Sequence, residues 1–354
     1  MFASRITFLD GQAGQGAALE RIAAHVRARL AEPAAAAALR EARRPLFTGI
    51  GASFAALAVP VHRLRAAGVV AQRVSADEIE NGLAGFDTDC LIGVSQSGRS
   101  SETLAAFAAA PADTTRVALV NVFPSPLVEA AELAVDLGNE ADSFASTVGY
   151  TGTIVALDLV AAAIEGRLAD EDHWSGIAGR VEEVRSRAAE VAAALRVRGA
   201  ACTAADDVAA GSSRASAEEG ALLLREVVRM PAAHSSTRTY LHGEMESAGN
   251  TLHLVHGAGR ELDLARSLAG AGHLTLLVTT ADVDPAENLF TVRLPQCPDA
   301  VRVVLETVVL QELVAALADE RGVPIESFVF ANDDTKQGGL NMDDFEVAAF
   351  TTTG

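Results

Sequence analysis

Apolar residues recur at helical spacing from position 17 to 42, where AALERIAAHVRARL gathers them on one face, and this predicts a single amphipathic helix. After Pro45 the period changes. Leu46-Phe47-Thr48 is a short apolar run closed by Gly49-Ile50-Gly51-Ala52-Ser53, which reads as strand, tight turn and helix start. The runs at 69–76, 90–95, 116–122 and 134–138 predict four more strands, with a helix opening near Asp77-Glu78. Short strands alternating with helices predict βαβ units and a parallel sheet covered on both faces. Residues 151–199 read as helix, increasingly charged, a stiff connector rather than a flexible linker. After Gly199 the rhythm begins again. A short strand precedes Gly211-Ser212-Ser213 and the helix EEGALLLREVVRM, strands are expected at 250–257, 274–280 and 287–295, and a long helix at 301–322.

The expected fold class is therefore α/β, with one parallel-sheet unit repeated in tandem. The boundaries expected are a helical segment at 1–40, a first domain at 41–166, a connector at 167–199, a second domain at 200–320 and a polar tail at 321–354. A length of 354 residues suits two domains, and 49% hydrophobic residues suffice for two cores. Aromatics are only 5%, so those cores must be aliphatic.

Charge narrows the function classes. The formal net charge of −19 disfavours nucleic acid as a partner, because a phosphate backbone would be repelled. No run of about 18 apolar residues predicts a membrane span, and the first residues lack the order of a signal peptide. Three scattered cysteines, Cys90, Cys202 and Cys297, suit a reducing compartment, so a cytoplasmic location is expected. Of the 28 basic residues, only Lys336 is lysine. A coding bias toward arginine explains most of that, yet arginine cannot replace an amine nucleophile or proton carrier.

Several motifs bear on chemistry. A glycine turn between strand and helix suggests a dinucleotide, but Phe54 stands where GxGxxG needs its third glycine, and Asp77 alone is weak support. No GxxxxGK[ST] loop occurs. The loop Ser95-Gln96-Ser97-Gly98-Arg99-Ser100-Ser101 sits where a parallel strand meets a helix, a place that attracts anions. Hydroxyls and a glycine there suit a phosphate monoester, although an ordinary capped turn has the same composition. His234, His242, His253 and His256 cluster in sequence, but without HxH, HExxH or cysteine, so no metal is expected. A Glu and His pair can supply a general base and a general acid near neutral pH. Glu226, in the apolar helix ALLLREVV, either lies on a solvated face or turns into a pocket.

These residues resemble a known family. Ser95-Gln96-Ser97-Gly98 with Ser100, preceded by Gly51-Ala52-Ser53, resembles the sugar isomerase (SIS) domain. Glu219-Gly220-Ala221-Leu222 leading to Arg225-Glu226 resembles the EGALKLKE helix in the isomerase half of glucosamine–fructose-6-phosphate aminotransferase. Asn121-Val122 and Ala145-Ser146-Thr147 also match that half, and the likeness spans roughly residues 20–340. It implies two SIS-type (flavodoxin-like) parallel-sheet sandwich domains in tandem. It also implies phosphate binding by Ser53, Ser95, Gln96, Ser97 and Ser100, and sugar contact by Ser146. Glu226 would be the catalytic glutamate that moves a proton between C1 and C2. His242, sixteen residues on, would be the ring-opening histidine that reaches the site from the neighbouring subunit of a homodimer. Lys336 holds the position of a catalytic lysine in the family's NLAKS tail.

Departures shape the expectation. Ala52 replaces a threonine, Val148 replaces a lysine after the AST motif, and Leu223 takes the place of a catalytic lysine. The glutaminase domain of the aminotransferase has no counterpart here. The resemblance thus implies isomerisation of an amino-sugar phosphate or glycated-amine phosphate coupled to deamination or deglycation, without metal or nucleotide cofactor. The alternative is a non-catalytic sugar-phosphate sensor that keeps the phosphate loop.

Overall fold

The computed structural model describes residues 5–340 and the backbone of 346–347. Its first half holds five strands, β1 (Pro45–Gly49), β2 (Gln72–Ser75), β3 (Cys90–Val94), β4 (Thr115–Val120) and β5 (Leu133–Asp136), all parallel, in the order β2-β1-β3-β4-β5. The second half builds β6 (Ala204–Ala209), β7 (Ala232–Ser236), β8 (Thr251–His256), β9 (Thr275–Thr279) and β10 (Leu289–Arg293), again parallel, in the order β10-β9-β8-β6-β7. Counted within each half, both sheets run 2-1-3-4-5, the flavodoxin-like order. The predicted α/β fold class and the tandem repeat are both present.

Helices cover the sheets. In chain order they are α1 (Phe8–Leu30), α2 (Pro33–Glu41), α3 (Ala52–Ala56), α4 (Ala58–Ala66), α5 (Ala76–Ile79), α6 (Ser101–Ala109), α7 (Pro126–Glu129), α8 (Val148–Ile164), α9 (Ile177–Ala200), α10 (Arg214–Glu226), α11 (Thr237–Leu241), α12 (Arg260–Gly270) and α13 (Asp299–Arg321). All 17 residues of α8 are buried, which explains why its sequence is apolar on every face. It packs against α1, α4 and α13, so one aliphatic core runs through both halves. No helix among the described residues is long and apolar enough to cross a membrane.

Three element predictions need correction. The single helix expected over 17–42 is two. It starts earlier, at Phe8, where the Thr7 hydroxyl accepts the Asp10 N–H at 3.1 Å, and it breaks before Pro33. Proline has no N–H to continue the ladder and disfavours helix in the residue before it. The helix expected over 151–199 is also two, with a short 3₁₀ turn at Leu168–Asp170 between α8 and α9. That junction is held by Arg63, whose guanidinium pairs with Asp158 at 2.8 Å and Glu165 at 2.9 Å and also meets Glu171. Strand β7 was not expected, because it lies at the sheet edge with Ala233 and His234 exposed and so lacks an apolar pattern.

Candidate active site

In a doubly wound sheet the ligand crevice lies outside the carboxyl ends of the strands, where the connections diverge to opposite faces. In the first domain that point falls between β1 and β3. Strand β1 runs into α3, which carries Ser53, and β3 runs into the loop 95–100. The predicted phosphate loop therefore occupies the position that the topology assigns to a ligand.

Within the loop, Gly98 takes φ +64°, and a Cβ there would stand 2.0 Å from the Ser125 hydroxyl, so only glycine fits. The Gln96 carbonyl accepts the N–H groups of Asn121 and Val122 at 3.0 and 3.1 Å, tying the loop to the end of β4. The hydroxyls of Ser95 and Ser100 lie 2.9 Å apart, both buried, while the Ser97 hydroxyl accepts the Arg99 N–H at 3.3 Å. Ser100 is the N-cap of α6 but makes no side-chain capping bond. The first-turn N–H groups of α6 stay available for an anion.

A carboxylate group forms the second part of the site. Glu226 ends α10, makes no side-chain hydrogen bond or ion pair among the described residues, and is pushed by burial from 4.5 up to about 7. Two helical turns earlier on the same face, Glu219 is buried. Burial first, then the charges of Glu226 and Asp142, hold its carboxyl well above the usual range. Asp142 accepts the Ser146 hydroxyl at 2.7 Å and the Thr147 N–H at 3.0 Å. Burial lifts its carboxyl while those bonds pull it back. Ser146 is thus bonded to Asp142, and the charges of Asp142 and Glu226 both act on Glu219. Gly220 lets α10 sit this deep: a Cβ there would meet Asp207 Oδ2 at 2.0 Å. Helix α3 packs against α10, and Arg73 on β2 clasps Glu218 through two N–H···O contacts of 2.5 and 2.8 Å. The two domains meet at this helix.

Lys336, 236 positions beyond Ser100 in the chain, lies on the phosphate loop. Its Nζ donates to the Ser100 hydroxyl at 3.4 Å, and the two residues form an antiparallel backbone bridge. Burial lowers its ammonium pKa; Glu102 opposes that shift and Arg99 reinforces it. The segment before it does not float in solvent. Glu326 accepts the Phe8 N–H at 2.8 Å at the start of α1, and the rings of Phe328 and Phe144 pack at a tilt with centroids 4.3 Å apart. His242, by contrast, ends α11 exposed, with no side-chain hydrogen bond to Glu226, Ser146 or Lys336 among the described residues. Glu219 and Asp142 were not singled out from the sequence. Glu219 stood inside the quoted EGALLL motif, and its signal was an acid on the apolar face of a helix. Asp142 carried no signal in a loop. Among the described residues one acid and histidine trio, Asp158, Glu171 and His173, has metal-like spacing, but Arg63 already pairs with Asp158 and Glu171.

The fold is a doubled flavodoxin type with a hydroxyl-rich loop at one switch point. Residues 38–163 match the model of the SIS domain, which bears out the family resemblance over that stretch, and both halves have the parallel-sheet fold expected of two SIS-type domains in tandem. No curated protein matches the chain in sequence. Solved structures do. The C-terminal domain of glucosamine-fructose-6-phosphate aminotransferase from Francisella tularensis is similar at 20% identity, over 89% of this chain and 96% of that one, with a TM-score of 0.74. Glucosamine-6-phosphate deaminase from Thermotoga maritima is similar at 16% identity, over 96% and 99%, with a TM-score of 0.70. Tagatose-6-phosphate ketose/aldose isomerase from Escherichia coli is similar at 16% identity, over 89% and 93%, with a TM-score of 0.66. At these identities the likeness is one of fold.

Proposed function

We propose that the protein is a phosphosugar enzyme of SIS type that interconverts aldose and ketose forms of an amino-sugar phosphate or glycated-amine phosphate, consuming water and releasing ammonia or an amine. The observation that carries this reading is the placement of Lys336 against Ser100. A sensor needs only the loop; an amine brought from the far end of the chain onto that loop suits chemistry.

In this reading the hydroxyls of Ser53, Ser95, Ser97 and Ser100, Gln96 and the α6 N-terminus hold the phosphate, and Ser146 meets the sugar. Glu226, with a carboxyl poised near 7, takes the proton from one carbon and returns it to the neighbouring carbon. Glu219, whose carboxyl burial holds well above the usual range, favours its neutral form beside Glu226. The Lys336 amine, made less basic by its burial, displaces ammonia or the amine from the sugar imine that this transfer creates, and water then hydrolyses the lysine imine, which returns the sugar carbonyl and the free lysine. The exposed His242 serves ring opening in a homodimer, where the partner subunit's His242 enters each site. Neither a metal ion nor a nucleotide takes part in these steps.

The sensor reading has one observation in its favour: Leu223, in the position of a family lysine, is wholly buried in the core. A panel of amino-sugar 6-phosphates assayed for ammonia or amine release decides between them. Turnover that is lost in Glu226→Gln supports the enzyme; tight binding of a phosphosugar with no turnover of any panel member establishes the sensor.

A further inference from the structure

Arg99 lies between Ser97 and Ser100 in the phosphate loop, and its guanidinium is directed at the C-terminal segment. Nε donates to the Gln337 carbonyl at 2.8 Å, and Nη2 donates to the same carbonyl at 2.5 Å and to the Gly339 carbonyl at 2.8 Å. The backbone answers in the other direction, the Gln337 N–H donating to the Arg99 carbonyl at 2.8 Å. Two residues further on, the Ser101 hydroxyl donates to the Asp334 carbonyl at 2.8 Å. These ties fall on both sides of Lys336, at 334, 337 and 339. A planar guanidinium can reach two carbonyls at fixed angles, which an ammonium or an amide cannot reproduce.

We propose that Arg99 is a positioning residue. It straps the C-terminal segment to the phosphate loop, so that the Lys336 amine is held at the crevice by the same loop that holds the phosphate. This rests on the function proposed above for Lys336, but the strap itself is a property of the apo protein. The competing role for Arg99 is direct binding of the phosphate, which would place its effect in affinity rather than in the rate of the chemical step.

Because Lys336 is the one lysine in the chain, an amine-acylating reagent reports on it without interference beyond the chain terminus, read by peptide mass. In Arg99→Ala we expect Lys336 to label at least tenfold faster than in wild type, with the melting temperature little changed. Ser101→Ala should show the same direction at roughly threefold. With a turned-over amino-sugar phosphate, Arg99→Ala should lower kcat tenfold or more and leave KM within about threefold. Labelling at the wild-type rate in both variants overturns the strap whatever the activity. A KM raised more than tenfold with kcat intact makes Arg99 a phosphate ligand and also overturns it. Faster labelling in a protein whose wild type turns over no phosphosugar sustains the strap and removes the proposed function instead.

Discussion

The two domains share one strand order but treat the same junction in opposite ways. In the first, six residues connect β3 to α6, and the loop presents hydroxyls around an uncapped helix start. In the second, only three residues connect β8 to α12, and an acid from the helix folds back over them. Glu261 accepts the Gly259 N–H at 3.1 Å through Oε2 and the Thr237 hydroxyl at 2.6 Å through Oε1. The second junction thus carries its own carboxylate where the first leaves room for a foreign anion. Topology sets where a ligand can sit; the loop's side chains decide which of two equivalent places receives one. The second domain contributes instead through α10, which carries Glu219 and Glu226 and packs against α3 of the first domain.

The sharpest way to break this division is at Glu226. Glutamine keeps the shape but accepts no proton, so Glu226→Gln should lower kcat by at least about 10²-fold while phosphosugar binding changes little. The wild-type rate should also fall about tenfold per unit as pH drops below about 7, where the base becomes protonated, and that acid limb should be absent from the residual activity of the variant. Near-normal turnover would place catalysis elsewhere and leave α10 a purely structural helix.

A second large effect is expected at Lys336. If its amine forms an imine, Lys336→Arg should lose activity nearly as completely as Lys336→Met, by roughly 10²-fold, because a guanidinium cannot form one. Borohydride with substrate should trap an adduct on wild type. Full activity in Lys336→Arg would reduce the lone lysine to a consequence of coding bias.

How far the site was legible in the sequence follows from what each part depends on. The strand-loop-helix repeat was readable because buried parallel strands are continuous apolar runs, and the SQSG loop because its residue types are set by local geometry, Gly98 above all. Glu226 and Lys336 were legible through the family resemblance; their surroundings were not. The proximity of Lys336 to Ser100 is a contact across 236 positions, which no local period encodes. Glu219 became a carboxyl with a raised pKa only once α10 had been buried, with the charges of Glu226 and Asp142 adding to the effect. Strand β7 stayed hidden because an exposed edge strand needs no apolar face.

At the two junctions themselves the expected effects are smaller and opposite in kind. Ser97→Ala should weaken phosphosugar binding by about 1.5–3 kcal/mol, the worth of a hydrogen bond to a charged group, and leave stability nearly unchanged. Glu261→Ala should leave that binding unchanged and lower stability by about 1–3 kcal/mol, since the buried Thr237 hydroxyl loses its acceptor. Titration calorimetry and denaturant unfolding on the two variants separate these outcomes. Equal losses of affinity in both would mean that the second junction is also a ligand site.

The smallest effect contrasts two acids of the second domain. Glu261 accepts two hydrogen bonds, whereas Glu226 is burdened by burial with no compensating bond among the described residues. A folded-state value of about 7 against an ordinary 4.5 means that the native state binds the Glu226 proton more tightly than the unfolded chain does. Stability is therefore undiminished at pH values below 4.5 and declines as pH rises from there to about 7, where the cost is complete. At about 1.36 kcal/mol per unit the full shift sets a ceiling near 3 kcal/mol, and partial access to water brings the expected figure to about 1–2 kcal/mol. Glu226→Gln should accordingly be more stable than wild type by that amount at pH 8, with the difference fading toward pH 4. Glu261→Gln should be less stable at pH 8, having exchanged a charged acceptor for a neutral one. If Glu226→Gln instead destabilises the protein at pH 8, then Glu226 has a partner in solution that stabilises its charge, and the case for it as a base poised near neutrality fails with it.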